Sequence, residues 1–132
     1  MDVAIRQYVR GRAGNRCEYC RLPQTAAEYL TFHVEHILAQ QHLSDDSIHN
    51  LALACPDCNR HKGPNLTTLH PETLTIVRLF HPRTDTWAEH FEFDGAILVG
   101  RTPIGMATVR LLRMNDVERV EIRAELIAAG EF

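Results

Sequence analysis

Apolar and polar positions alternate with different periods along this chain, and each period predicts a different element. Ile5, Tyr8 and Val9 recur at helical spacing behind Asp2, a residue suited to cap a helix, so an amphipathic helix is expected to about Ala13. Gly14 then ends it, and Arg6 and Arg10, four apart, share its outer face. Tyr29 to His36 is rich in β-branched and aromatic residues and predicts a strand. Gln40 to His49 is polar, contains S-D-D-S and predicts a loop. Leu51 to Ala54 is a short apolar run that reads as a second strand. Pro56 suits the first position of a helix carrying Asn59, which Gly63-Pro64 stops. The central unit is therefore strand, loop, strand, helix.

Beyond residue 75 the pattern is plainer. Trp87 to Phe93 and Ala96 to Arg101 flank Asp94-Gly95, a hairpin-turn signal. Phe91 with Phe93, and Ile97 with Val99, alternate onto common faces. Helices are expected from about Pro103 to Arg113 and from about Asp116 to Ala129. The second places Val117, Val120, Ala124 and Ile127 on one stripe, with Glu118, Arg119, Glu121 and Arg123 on its wet side.

At 132 residues, the size predicts one domain (1–132), with a core over about 14–66 and a scaffold over about 75–130. Apolar content of 45% and charged content of 23% are ordinary for a soluble fold. No run approaches the roughly 20 apolar residues of a membrane span, and M-D-V-A-I-R-Q-Y does not read as a signal peptide. The expectation is a cytoplasmic, reducing setting, where C-x-x-C pairs are more often metal knuckles than disulfides. A net charge of −3 argues against a protein that coats nucleic acid by charge alone. The distribution is less even: Arg6, Arg10, Arg12, Arg16 and Arg21 cluster near the first cysteines. Arg60, His61 and Lys62, the chain's single lysine, follow the second pair.

The cysteines carry the clearest chemistry. Cys17-x-x-Cys20 and Cys55-x-x-Cys58 can each supply two thiolates to one tetrahedral zinc. Two local disulfides are the alternative, but bridging Cys17 to Cys20 would restrain only a tiny loop. A redox dithiol is another, weakened because two matched pairs are present. Between and beyond the knuckles lie Glu35-His36, then Asn50 after 13 residues and Asn59 after 8 more. Phosphodiester hydrolysis needs a base to deprotonate water and a cation to stabilise developing charge. Glu35 and Asn59 offer hard oxygen ligands, His36 can take a proton near neutral pH, and an asparagine can orient that imidazole. Adjacent strand residues point to opposite faces, so Glu35 and His36 can cooperate only where the strand ends or twists.

H-V-E-H-I followed by N-L-A-L-A-C-P-D-C-N-R-H-K-G closely resembles the HNH (ββα-metal, or His-Me finger) endonucleases whose core is braced by a four-cysteine zinc. The resemblance spans about Cys17 to Gly63, and the stretch from Leu79 to Gly130 looks like the tail of small bacterial HNH proteins. It implies an α+β fold with a ββα-metal core, a structural zinc held by the four cysteines, and a C-terminal hairpin with two helices. It also implies a nuclease in which Glu35 and Asn59 hold the catalytic cation, His36 is the general base and Asn50 orients it. The products would end in 5′-phosphate and 3′-hydroxyl. Two departures matter. Glu35 stands where aspartate is commonest, and Gly63 stands where some relatives place a further histidine ligand. A cation with two side-chain ligands keeps several waters, which suits Mg²⁺ or Mn²⁺ better than zinc. Arg60, Lys62 and His61 are candidates for phosphate contact, and His33 for an extra ligand or substrate contact, or else a packed histidine. His42, His49, His70, His81 and His90 read as structural or exposed. The expected substrate is nucleic acid, DNA in the first instance. Two rival readings are a non-catalytic zinc module binding nucleic acid or protein, and a nuclease acting on RNA.

Overall fold

Five helices and three antiparallel strand pairs make up the computed structural model, which describes residues 1–132 as a mixed α+β fold. The chain divides into two compact units, Met1–Pro64 and Asn65–Phe132. No helix is long and apolar enough to cross a membrane.

In the first unit, α1 (Val3–Arg12) is capped by Asp2, whose carboxylate accepts from Ile5 N at 2.8 Å. Gly14, at φ +62°, takes the chain out of it. Val9 is buried as expected, but Tyr8 is not. Its ring lies on the surface under the Arg12 guanidinium, 5.4 Å from the centroid. Arg12 also donates to Ile48 O at 2.9 Å and Leu51 O at 2.7 Å, tying α1 to the start of the second strand.

Strand β1 (His33–His36) pairs antiparallel with β2 (Leu51–Ala54), placing Glu35 opposite Ala52 and His36 opposite Leu51. All four β2 residues are buried, which is why that strand reads as a continuous apolar run. Helix α2 (Pro56–Lys62) follows at once, with Pro56 in its first turn. β1 is shorter than predicted, because residues 24–27 form a 3₁₀ turn and Tyr29 is fully exposed. Gln24 explains the difference. Its side chain donates to Leu30 O at 2.7 Å and accepts from Phe32 N at 2.8 Å, occupying backbone groups that a longer strand would pair.

In the second unit, β3 (Thr67–Leu69) and β4 (Ile76–Arg78) form a hairpin that the sequence pattern does not announce. Residues 87–90 form a single helical turn, α3 (Trp87–His90), rather than the start of a strand. The expected hairpin begins at β5 (Phe91–Asp94) and returns through β6 (Ile97–Gly100), with Gly95 at φ +59°. Helix α4 (Pro103–Leu111) packs tightly here: a Cβ on Gly105 would lie 2.0 Å from His90 O, and one on Gly100 2.3 Å from Met106 N. Helix α5 (Val117–Ala128) inverts the predicted stripe. Val117, Ala124 and Ile127 are exposed, whereas Arg119 and Arg123 are buried. Arg119 donates to Leu112 O at 2.5 Å, and Arg123 to Ala96 O at 2.8 Å and Met114 O at 2.7 Å. The carbonyls left open where α4 ends need donors more than α5 needs an apolar seam.

Candidate active site

The two knuckles converge on one buried point. Cys17 and Cys20 lie on a tight turn, while Cys55 caps α2 and Cys58 sits in its first turn. Backbone N–H groups of Cys20 and Cys58 approach the sulfurs of Cys17 and Cys55 at 3.5 and 3.4 Å. All four Sγ atoms lie within 4.8 Å of one another, and Cys20 and Cys55 are 3.7 Å apart. A disulfide would need about 2.05 Å, whereas a tetrahedron with Zn–S bonds of about 2.3 Å has edges of about 3.8 Å. The thiols therefore fit a structural zinc and not the disulfide alternative. Burial and neighbouring thiols push Cys17 and Cys58 well above the ordinary thiol range. A dication supplies the charge that four clustered thiolates require.

Beside this frame, an open cleft of about 320 Å³ is lined by His33, Glu35, His36, Gln40 and Asn59. β1 ends at His36, which meets the condition that two adjacent strand residues serve one site. Glu35 is 8% exposed. Its Oε1 accepts the Tyr19 hydroxyl, and its Oε2 accepts the Lys62 ammonium at 3.1 Å. Burial pushes the Glu35 carboxyl up, and the charge of Lys62 and the bond from Tyr19 pull it partly back. The Tyr19 hydroxyl is raised well above its ordinary range, first by burial and then by the Glu35 charge, so it stays a donor. Asn59 is half-buried at the cleft, and its side-chain amide makes no hydrogen bond within the protein.

Lys62 is the main departure from expectation. Rather than facing phosphate, it is 2% exposed and donates to Glu35, to Ile37 O at 2.9 Å and to His36 O at 3.3 Å. No phosphate can reach an ammonium enclosed by three acceptors. Asn50 also lies elsewhere than expected. Its side chain does not touch His36; Oδ1 accepts from Leu38 N at 2.9 Å, and Nδ2 donates to Leu38 O at 3.0 Å and Asp45 O at 2.9 Å. It holds the loop between β1 and β2, and that loop carries the residue that meets the imidazole. His36 Nε2 donates to Asp46 Oδ1 at 2.7 Å, with Gln40 Nε2 on the same oxygen at 3.1 Å. These bonds, His36 first, hold the Asp46 carboxyl below its usual range. His33 is exposed and lines the cleft. Arg60 is exposed and pairs with Asp57 at 3.1 Å; neither it nor His61 lines the cleft.

Sequence reasoning missed Asp46 and Tyr19. Asp46 is ten residues from His36 on a polar loop, and nothing local marks it. Tyr19 carried a usable signal, since a tyrosine locked between two cysteine ligands is buried and its hydroxyl must find a partner.

Residues 17–65 match the family model of the HNH endonucleases. This segment is similar to the HNH endonuclease domain. The family consists in general of nucleases and acts on nucleic acid, with a divalent metal. The Septu protein PtuB of Bacillus thuringiensis is 26% identical over 110 residues, a stretch covering 82% of this chain and 40% of that protein. The chain thus spans less than half the length of that relative. No solved structure matches it. The matched segment takes in both knuckles, Glu35, His36, Asn50 and Asn59, and leaves α1 outside.

Proposed function

We propose that this protein is a metal-dependent endonuclease that hydrolyses phosphodiester bonds of DNA in a reducing, cytoplasmic setting. The observation that carries the reading is the gathering of Glu35, His36 and Asn59 around one open cleft. A carboxylate and an amide oxygen are hard donors and suit Mg²⁺ or Mn²⁺. Tyr19 and Lys62 take one lone-pair position on each Glu35 oxygen, and an ionised carboxylate has about four. Glu35 and Asn59 would hold the cation, which when bound supplies positive charge for the phosphate and the departing 3′-oxygen.

The remaining chemistry belongs to His36. Aspartate can only accept, so the proton on the Asp46 side sits on Nε2 and the lone pair on Nδ1. Nδ1 then takes the proton of the attacking water, and Asp46 stabilises the imidazolium that forms. Products ending in 5′-phosphate and 3′-hydroxyl follow from water attacking phosphorus with the 3′-oxygen leaving.

Supercoiled plasmid incubated with a panel of divalent ions, beside His36→Ala, tests this directly. The wild type should nick with Mg²⁺ or Mn²⁺, and the variant should lose about 10²–10⁴-fold while keeping its fold and zinc. Equal nicking by both would end the mechanism. Cleavage of structured RNA with intact DNA would shift the substrate, and no cleavage under any ion would leave a zinc module that binds without reacting.

A further inference from the structure

A second cavity, of about 230 Å³, adjoins the candidate active site, and His33 and Val34 line both. Its wall includes Arg6 and Arg10 of α1, with Thr31 and Phe32. No carboxylate lines it, although the chain as a whole carries a net charge of −3. Arg6 and Arg10 lie one helical turn apart on one face. Arg10 is half-buried and donates one Nη to Phe32 O at 3.1 Å, which fixes its guanidinium against the chain entering β1. Arg6 is exposed, and its side chain makes no hydrogen bond or ion pair within the protein.

Neighbouring arginines make the contrast. Arg12 spends both terminal nitrogens on the carbonyls of Ile48 and Leu51, and Arg16 donates to Arg21 O at 3.1 Å. Those serve the fold. Arg6 keeps five donors for something outside it. A cavity walled by two guanidiniums and an imidazole, with no acid to neutralise them, is complementary to a phosphate.

We propose that the Arg6–Arg10–His33 cavity holds a backbone phosphate of the nucleic-acid strand whose scissile phosphate lies in the adjoining cleft. The assignment of the scissile position rests on the nuclease reading; the phosphate site itself does not. A strand rises about 3.3 Å per residue, so His33 and His36 stand about 10 Å apart along β1. At about 3.4 Å of rise per nucleotide along a duplex, that separation corresponds to about three nucleotides between the held phosphate and the cut. Arg6 is the principal contact, Arg10 a pre-set second donor, and His33 the link between the two sites. Arg6 and Arg10 lie outside residues 17–65, so both arginines of this site come from α1, while His33 comes from the matched segment.

The test is equilibrium binding of the full chain to labelled duplex DNA and to single-stranded RNA, read by fluorescence anisotropy across a salt series without added divalent ions. Arg6→Gln is compared with wild type and with Arg110→Gln, a change of equal charge at an exposed position on α4. Arg6→Gln should weaken binding several-fold regardless of sequence and reduce the slope of log K against log salt by about 0.9 on duplex or about 0.7 on single strands. Arg110→Gln should leave the slope unchanged. The larger slope change identifies which strand type the cavity takes. Equal slopes for Arg6→Gln and wild type, equal losses in both variants, or no binding by the wild type would each overturn the proposal. Binding that weakens as expected without plasmid cleavage would sink the nuclease reading alone. Cleavage with an unchanged Arg6→Gln slope would sink this one alone.

Discussion

Replacing Lys62 by methionine isolates the buried charge at the centre of the site. The substitution keeps most of the side-chain volume and removes the ammonium. Three acceptors then lose their donor: Glu35 Oε2 at 3.1 Å, Ile37 O at 2.9 Å and His36 O at 3.3 Å. Both partners are nearly inaccessible, Lys62 at 2% and Glu35 at 8%, so water replaces the lost bonds poorly. Breaking a buried pair by removing one partner costs about 3–5 kcal/mol, because the surviving charge stays desolvated. At about 4 °C per kcal/mol for a chain of this size, the melting temperature should fall by about 12–20 °C. Removing both charges costs far less, so Lys62→Met/Glu35→Gln should recover most of the loss. Thermal and urea unfolding of the four members of this cycle, with zinc content measured on each, gives the coupling. A loss below about 1 kcal/mol in Lys62→Met, or a double variant no more stable than Lys62→Met, would refute the argument that the pair is a mutually dependent buried unit.

Other expectations follow from the same geometry. Cys55→Ser should lose zinc by metal analysis and unfold the first unit, and a strong chelator should do the same to the wild type; a folded, zinc-free protein would contradict the tetrathiolate frame. Asp46→Asn should slow cleavage by about 10²-fold, the lower end of a general base's contribution. Its melting temperature should hold, because Asp46 is 74% exposed; an unchanged rate would remove Asp46 from the mechanism. In the second unit, Arg78 grips Asp85 through bonds of 2.7 and 2.9 Å and holds its carboxyl below the usual range. A depressed carboxyl contributes stability above its unfolded pKa of about 3.9 and loses it as pH falls through the folded value. The advantage of wild type over Asp85→Asn should therefore be about 0.5–1 kcal/mol at neutral pH, Arg78 being half exposed, and vanish in acid. An advantage that persists at acid pH would contradict it.

The elements that sequence reading placed correctly are those whose cause is local. Cys55 and Pro56 begin α2 and Gly63 stops it, the apolar run Leu51–Ala54 is β2, and Asp2 caps α1. Elements were misplaced where a distant group intervened. Gln24 captured the backbone of residues 30–32 and shortened β1. The hairpin of β3 and β4 turns at His70, whose Nδ1 accepts from Glu72 N at 3.1 Å, in a stretch with no alternating pattern to announce it. Arg119 and Arg123 turned inward because the end of α4 presented bare carbonyls, something helical periodicity does not encode.

Order and spacing along the chain were enough to predict a four-thiol metal frame around a strand–loop–strand–helix unit, with an acid, an imidazole and an amide at its centre. Such information survives in one dimension because metal knuckles and helix caps are made by residues within a few positions of each other. The partners of those central groups were not legible. Tyr19 and Lys62 reach Glu35 across 16 and 27 residues, and Asp46 meets His36 across a loop whose path Asn50 sets. Burial gives the Tyr19 and Lys62 contacts their strength and raises the Glu35 carboxyl, and burial exists only once the chain has closed around them.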